Sequence, residues 1–255
     1  NFALSPDGRS LAFVSRADYA EPWSLWVRFI GSVTPQKLMP IEDTAPHATQ
    51  PFWSADSRFI GFVTAGKLKK IEASGGPPQD ICDAAGVSGG TWNREGVILF
   101  GSATGLFRVS GEGGKPEAVT ALEQGESGHY WPHFLPDGRR YLYTSWHGEA
   151  AKRAVLMGTL GSKEKTRVLA AESNAAYAEP GFLLFHRGNA VYAQPFDWKK
   201  AALTGEPARV ANEVGNDATN GWSDFAVSPG GVLVYFQSAN SAVSSENARE
   251  FQLAW

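Results

Sequence analysis

Short apolar runs of about six residues recur along the whole chain, and turn residues separate them. Runs of this length rich in aromatic and β-branched residues are typical of strands and are too short for helices. No amphipathic helical stretch of ten or more residues interrupts the pattern. The sequence therefore predicts an all-β fold. The runs that carry this prediction are LAFVS from Leu11, FIGFVT from Phe59, VILFGS from Val97, YLYTSW from Tyr141, FLLFHR from Phe182 and VLVYFQ from Val232.

A four-residue turn precedes each of these runs. The turns are SPDG, SADS, NREG, LPDG, AEPG and SPGG, and they begin at Ser5, Ser54, Asn93, Leu135, Ala178 and Ser228. Their spacings are 49, 39, 42, 43 and 50 residues, which is near the period of a four-stranded propeller blade. A third strand and a weaker fourth strand follow each turn, except that the last unit has no fourth strand.

The fold prediction is thus a single domain over residues 1–255, a six-bladed β-propeller of four-stranded antiparallel blades with the last blade incomplete. We call the six predicted blades units 1 to 6. Their approximate bounds are residues 1–43, 44–84, 85–122, 123–170, 171–212 and 213–255. A β-sandwich with irregular loops is the alternative, but a sandwich does not require the same turn six times.

Composition narrows the class of protein. The net charge is −3 and no run of basic residues is long, so nucleic acid is not expected as a partner. No apolar stretch is long enough to span a bilayer, so this segment is not expected to insert directly into a membrane. The single cysteine, Cys82, permits no internal disulfide, and its role stays open. The chain starts without Met and inside a repeat, so we read it as a segment of a longer protein.

Motifs that could carry catalysis are incomplete. SGEGGKPE from Ser110 lacks the hydroxyl residue that follows Lys in a P-loop, and NGWSDF around Ser223 lacks the last Gly of the serine-hydrolase elbow. His129 and His133 are four residues apart on a strand, which separates them too far to share one metal ion. The sequence predicts no catalytic set, no metal and no cofactor. Asp7, Asp56, Glu95 and Asp137 share one turn position, where an acid caps the turn.

The first strand of each unit supplies the candidate binding residues. One position before the turn stand large rings, Trp53, Trp92, Phe134 and Tyr177, which we expect to pack between blades. First strands are innermost in a propeller, so the opposite face should line the central channel. The candidate ligand-binding residues there, at the mouth of the channel, are Gln50, Thr91, Trp131, His133, Asn174 and Asp224. A water-filled channel without a function is the alternative.

Units two to four carry a family resemblance, notably in PFWSADSRFIGFVTAGKLKKIEASGGPPQDI, GGTWNREGVILFGSATGLFRVSGEGGKPEAVT and HYWPHFLPDGRRYLYTS. These runs resemble the WD-like propeller repeats of the TolB type. More narrowly, they resemble the propeller that follows the catalytic domain in certain bacterial membrane-anchored serine/threonine protein kinases. Ser57 in place of Gly and the AEPG turn depart from the pattern and leave those blade edges uncertain.

This resemblance implies a non-catalytic sensor or interaction module outside the cytoplasmic membrane, on the periplasmic side, tethered through its parent chain. The expected partner is a protein, a peptide or a small molecule at the channel or the loop face. None of the kinase motifs is present in this chain. Two alternatives remain: the gating propeller of a prolyl-oligopeptidase-like serine peptidase, and a TolB-like periplasmic scaffold.

Overall fold

The computed structural model describes residues 1–18, 20–42, 50–171, 173–217 and 221–237, and the backbone of 251–253. Within this part the chain forms strands, turns and one short 3-10 helix at Ala150–Lys152. The strands of units 1 to 3 are β1 (Phe2–Leu4), β2 (Ser10–Ser15), β3 (Ser24–Phe29), β4 (Gln36–Pro40), β5 (Phe52–Trp53), β6 (Phe59–Thr64), β7 (Lys67–Glu72), β8 (Gln79–Asp83), β9 (Val87–Trp92), β10 (Val97–Ser102), β11 (Gly105–Ser110) and β12 (Glu117–Ala118).

The second half of the chain repeats the arrangement. Its strands are β13 (Glu126–Phe134), β14 (Arg140–His147), β15 (Ala154–Thr159), β16 (Lys165–Ala170), β17 (Ala175–Ala178), β18 (Phe182–Arg187), β19 (Ala190–Asp197), β20 (Ala202–Leu203), β21 (Ala208–Asn212), β22 (Phe225–Val227), β23 (Leu233–Phe236) and β24 (Phe251–Leu253).

In each unit the first three strands form an antiparallel meander, in which the second strand lies between the first and the third. The orders are β1-β2-β3-β4 and β5-β6-β7-β8 in the first two units, and β22-β23-β24 in the sixth. In unit 5, β19 pairs with both β20 and β21. Units 3 and 4 are joined into one sheet because Ser102 of β10 also pairs with His129 of β13.

The turns hold the first two strands of each unit through local hydrogen bonds. In unit 1 the Ser5 hydroxyl donates to Asp7 Oδ1 at 2.5 Å, and Asp7 Oδ1 accepts the Arg9 N–H. Ser54 and Asp56 repeat this arrangement in unit 2. Short side chains that bond their own turn are expected at such positions. The predicted capping role is confirmed for Asp7 and Asp56.

Unit 4 follows the same rule, and unit 3 departs from it. Asp137 Oδ1 accepts the N–H groups of Arg139 and Arg140. In unit 3, Asn93 Oδ1 accepts the N–H groups of Glu95 and Val97. The prediction was therefore wrong for Glu95, because an amide oxygen at the first turn position already takes both donors.

Among the described residues, six buried apolar clusters hold the units together, and each cluster lies between two neighbouring units. Residues of units 1 and 2 share the first cluster, and the following pairs share the next four. The sixth cluster joins Phe2, Leu4 and Leu11 of unit 1 to Val234 of unit 6. The first strands likewise contact one another in order, and β22 contacts β1. The described units therefore surround a common axis.

The structure confirms the prediction of an all-β propeller built from antiparallel sheets. The number of blades and the approximate unit boundaries stay predictions, since residues 43–49, 218–220 and 238–250, in units 1, 2 and 6, lie outside the described residues. The described part of the chain also contains no helix with the length and apolar character needed to cross a bilayer.

Candidate functional site

In the first strand of a unit, successive side chains point towards different neighbouring units, one towards the preceding unit and the next towards the following unit. Trp53 packs in the cluster shared with unit 1, and its indole N–H donates to Ala3 O at 3.0 Å. Phe52, the residue before it, packs in the cluster shared with unit 3. This follows from the pleat of a strand, in which successive side chains point to opposite faces.

Other units show the same alternation. Thr91 reaches forward, since its hydroxyl accepts the Phe134 N–H of unit 4 at 3.2 Å. Trp92 reaches back, and its ring lies 6.2 Å from that of Phe59 in unit 2. Phe134 and Tyr177 pack in the clusters shared with the preceding units. The predicted packing of large rings between blades is therefore confirmed.

A central cavity of about 580 Å³ lies between these first strands. This volume is within the range of small-molecule sites in proteins. All six units contribute to its wall. Its charged side chains lie in the turns at one end, which we call the mouth: Arg94, Glu95, Asp137 and Glu179. The far end, some four residues deeper along the strands, is called the inner end and is formed by Gln50, Gly89, Trp131, Asn174 and Trp222.

Five of the six candidate residues from the sequence line this cavity, namely Gln50, Thr91, Trp131, His133 and Asn174. Asp224 is not among the lining residues. Its carboxylate lies beside Gly215, where a Cβ on that glycine would be 2.9 Å from Asp224 Oδ2. The structure thus brings five candidates together and places Asp224 beside Gly215, outside the cavity wall. Gln50, Trp131 and Asn174 lie at the inner end and not at the mouth, where the sequence predicted them. Whether any of them binds a ligand stays a prediction.

Trp131 dominates the inner end. Its side chain is 5% exposed and its backbone has a φ of 52°, which is unusual for a bulky residue. The strand register shifts between Tyr130 and His133, which is the signature of a β-bulge, and a bulge re-aims a side chain. The Trp131 ring lies 5.9 Å from that of Trp222 in unit 6. The bulge therefore carries the indole across the axis of the ring.

Gly89 makes room for this indole. The glycine has a φ of +76°, and a Cβ on it would lie 3.0 Å from Trp131 Cδ1 and 3.3 Å from Gln50 Oε1. Both Gln50 Oε1 and Trp131 Nε1 are buried and have no hydrogen-bond partner among the described residues. Asn174 is oriented by the Ser223 N–H, which donates to its Oδ1 at 2.9 Å. The inner end thus combines aromatic rings with uncharged amide groups.

His133 is kept neutral in the cavity wall. Burial lowers its pKa to about 4, although a backbone hydrogen bond to Tyr177 acts in the opposite direction. An imidazole with this pKa is uncharged at neutral pH and can both donate and accept hydrogen bonds. His133 therefore adds a polar group to the wall without adding a charge.

A second polar cluster lies outside the cavity, around His129, which is fully buried. The Thr120 hydroxyl accepts the Leu106 N–H and lies 2.7 Å from His129 Nδ1, and Glu126 Oε2 lies 3.1 Å from His129 Nε2. Burial, the largest cause, lowers the pKa of His129, while Glu126 raises it. Each of these polar groups has a partner, so the cluster ties the segment that follows β12 to unit 4.

The geometry of the described residues gives little support for a metal site, a serine nucleophile or a reactive cysteine. Among the described residues, no three His, Cys, Asp or Glu side chains are grouped as metal ligands. Ser223 is completely buried. Burial, with the nearby Asp83 charge, raises the pKa of the Cys82 thiol to about 11, which leaves little thiolate at neutral pH. The predictions of no catalysis, no metal and no cofactor stay predictions.

Sequence reasoning missed two contributors to the inner end, Gly89 and Trp222, and also Trp146, which packs on Trp131. The positive φ of Gly89 depends on the strand register. Trp146 and Trp222 pack on Trp131, with ring centroids at 5.8 and 5.9 Å. These two tryptophans do not occupy equivalent positions in the repeat. No pattern in the sequence therefore selected them as candidate site residues.

Comparison with known proteins gives the fold and no closer relationship. No family model matches the chain, and no curated protein matches it. Among solved structures, it is similar to TolB from Acinetobacter baumannii, with a TM-score of 0.64 and 12% identity over 83% of this chain and 55% of that one. The β-propeller domain of the Trilobed protease from Pyrococcus furiosus gives a TM-score of 0.59 and 16% identity over 94% of this chain and 77% of that one.

A puromycin hydrolase is also similar, with a TM-score of 0.59 and 13% identity, and 92% of this chain covers 43% of that protein. The chain thus spans about half the length of the TolB and of the hydrolase that it resembles. At these levels of identity the likeness concerns architecture alone: the chain has the β-propeller fold found in TolB and in the β-propeller domain of the Trilobed protease.

Proposed function

We propose that this chain is a non-catalytic binding module that holds a small molecule, a peptide or a protein segment at its central cavity and mouth. The observation that carries the proposal is the cavity itself, into whose wall five polar or aromatic candidates from units 2 to 5 converge. Concave sites with mostly apolar walls and a few convergent polar groups are the usual places for ligands.

The context we propose is the sensor or interaction region of a bacterial serine/threonine protein kinase, held outside the cytoplasmic membrane through its parent chain. The repeat sequences support this context by their resemblance to the propellers of such kinases. The similarity to TolB supports the coarser part of the proposal, a TolB-type propeller, and is equally compatible with a TolB-like interaction scaffold. The net charge of −3 disfavours nucleic acid as the partner.

A second candidate function is the gating propeller of a prolyl-oligopeptidase-like peptidase. It is favoured by the similarity to puromycin hydrolase and to a prolyl endopeptidase, of which this chain covers 43% and 38%. The flanking coding sequence separates the two contexts. A kinase domain and a membrane span upstream support the sensor, whereas a G-x-S-x-G hydrolase domain downstream supports the gate.

Binding at the cavity is tested by closing its mouth. Ala55 lies in the turn of unit 2 and lines the cavity, so Ala55→Trp should obstruct entry without changing an apolar cluster. Ala103 is an exposed turn residue outside the cavity, and Ala103→Trp is the matched control. Peptide and small-molecule libraries would be screened by thermal shift, where a ligand at 100 times its Kd stabilises the fold by about 2.7 kcal/mol.

The expected result is a set of ligands that stabilise the wild type and Ala103→Trp but not Ala55→Trp. Ligands that stabilise all three proteins equally would contradict a site in the cavity. A library that yields no ligand at all would favour a purely structural propeller.

A further inference from the structure

The wall of the central cavity contains one residue from each unit at the same repeat position, two residues before the turn. We call this set the axial ring, and all its members line the cavity: Ala3, Phe52, Thr91, His133, Ala176 and Ala226. Because alternate residues of a strand share a face, the axial ring lies between the mouth and the inner end, most of whose residues stand four before the turns. Phe52 is buried, and the other members are partly exposed. A ligand that enters at the mouth therefore reaches the axial ring first.

The two polar members of the axial ring lie side by side, on units 3 and 4. Thr91 Oγ1 accepts the Phe134 N–H at 3.2 Å, and its own hydroxyl proton has no acceptor among the described residues. The hydrogen bond between His133 and the Tyr177 backbone raises the pKa of the imidazole, so the Tyr177 carbonyl accepts from one ring nitrogen. The second nitrogen of this neutral ring carries no proton and can only accept. It has no donor partner among the described residues, and protein atoms do not enclose it.

The rest of the axial ring is apolar, since three of its other members are alanines and the fourth is Phe52. Every charged side chain in the cavity wall belongs to a turn at the mouth, as listed above. An ion held at the level of the axial ring would lose water without gaining a counterion, which is strongly unfavourable. The part of a ligand that lies within the axial ring is therefore uncharged.

A ligand that fits this wall offers an acceptor to Thr91 and a donor to His133 on neighbouring atoms. An ammonium group lacks the acceptor, and a carboxylate lacks the donor. An amide is uncharged and carries both, as C=O and N–H. In a cyclic amide, or lactam, these two groups lie on the same edge of the ring, and the opposite edge is hydrocarbon.

We propose that the axial ring binds an uncharged lactam, whose N–H donates to His133, whose carbonyl accepts from Thr91, and whose hydrocarbon edge lies against Ala176 and Ala226. The inference rests on the proposed function, since it assigns a ligand class to the same cavity. The ligand lies on the mouth side of Trp131, whose indole stays packed in the inner end.

The test uses three small rings of nearly equal size: δ-valerolactam, its N-methyl derivative, which has no N–H, and cyclohexanone, which has only the carbonyl. Each is titrated into protein with ¹³C-labelled alanine methyl groups, and the signals of Ala176 and Ala226 are followed by NMR after assignment with Ala176→Gly and Ala226→Gly. A ligand of this size should bind with a Kd of about 1 mM. δ-Valerolactam should shift both signals, and the other two rings should bind about fivefold more weakly, because each lacks the hydrogen bond to His133.

Variants then test the two contacts. His133→Phe keeps a flat ring and removes the acceptor, and Thr91→Val removes the hydroxyl; each should weaken δ-valerolactam about three- to tenfold. Thr91→Ser keeps the hydroxyl and should bind like the wild type. The matched controls are His147→Phe, at the end of β14, and Thr166→Val, on the exposed face of β16, since neither residue lines the cavity. If His133→Phe fails to fold, as judged by circular dichroism, the Thr91 pair and the three rings still decide the question.

The proposal is overturned if δ-valerolactam leaves the Ala176 and Ala226 signals unchanged, if the N-methyl derivative binds as well as the lactam, or if Thr91→Val binds the lactam like the wild type. Cyclohexanol, in which one hydroxyl both donates and accepts, is the competing probe. A shift of the two signals by this alcohol but not by the lactam would refute the lactam assignment. Library ligands excluded by Ala55→Trp would in that case still support the cavity as a binding site.

Discussion

Replacing Gly90 by alanine should destabilise the propeller through a single side-chain collision. A Cβ on Gly90 would lie 2.4 Å from Cε1 and 2.6 Å from Cδ1 of Phe52, whereas carbon atoms in contact prefer about 3.5–4.0 Å. The ring cannot move away freely, since Gly61 lies against it as well, and a Cβ there would be 2.4 Å from Phe52 Cζ. Phe52 is 5% exposed in the cluster between units 2 and 3.

Relieving the overlap requires a movement of about 1 Å in a packed cluster, and overpacking of this kind costs about 1–3 kcal/mol. Gly90→Ala should therefore lower the free energy of unfolding by about 2–3 kcal/mol in urea titrations, with an unchanged m-value. Gly148→Ala is the control, because nothing lies within 4 Å of its Cβ position, and its effect should be below about 0.5 kcal/mol.

A double mutant separates the collision from other causes. Phe52→Leu removes ring atoms from the path of the new methyl group, so Gly90→Ala should cost at least about 1 kcal/mol less in that background. Equal effects of Gly90→Ala and Gly148→Ala would refute the packing argument, and so would strict additivity with Phe52→Leu.

Three further predictions concern contacts between units. The pKa of His133, about 4 in the fold and about 6.5 in the unfolded chain, favours the neutral imidazole; stability present above pH 6.5 should fall by up to about 3 kcal/mol as the pH drops to 4. Urea titrations across that range should show a steeper loss for the wild type than for His133→Asn, and parallel curves would contradict the assignment. Trp53→Phe removes the hydrogen bond to Ala3 O and should cost about 1 kcal/mol by the same assay, and a neutral effect would mean that this bond contributes nothing. Asn93→Ala removes the side-chain oxygen that accepts two turn N–H groups, and also the hydrogen bond that its Nδ2 donates to Gly138 O at 2.8 Å; we expect a loss of about 2–3 kcal/mol, and a loss as small as that of an exposed alanine substitution would be inconsistent with its role.

The repeat of turns and apolar runs was enough to predict the class of fold. Local hydrogen bonding in the turns depends on only four or five residues, so Asp7 and Asp56 could be assigned from sequence. Period-2 alternation also separated Trp53 from Phe52 correctly. It could not show that both faces of a first strand meet neighbouring units, because that depends on how closely the sheets approach one another around the axis.

The inner end of the cavity was only partly predictable. Gln50, Trp131 and Asn174 were selected by position relative to the turn. The bulge that turns Trp131 across the axis has no sequence signal of its own, since it depends on the pairing register of β13 with β14. Asp224 occupies the same repeat position but lies beside Gly215 and does not line the cavity, and no repeat pattern in the sequence separates it from the other candidates.

The shared clusters have a consequence for how the molecule gains and loses structure. In linear repeat arrays a terminal repeat can detach while the rest stays folded. Here each unit contributes one side of two apolar interfaces, one with each neighbouring unit. Because units 6 and 1 also share an interface, no unit is a terminal repeat. Unfolding of any one unit would expose the apolar surfaces of both its neighbours at once. The conformational entropy gained by unfolding one unit is therefore small compared with the cost of exposing that apolar surface. A mutation in one interface should therefore lower the stability of every sheet by the same amount, and hydrogen exchange of the most protected amides in distant units should accelerate together.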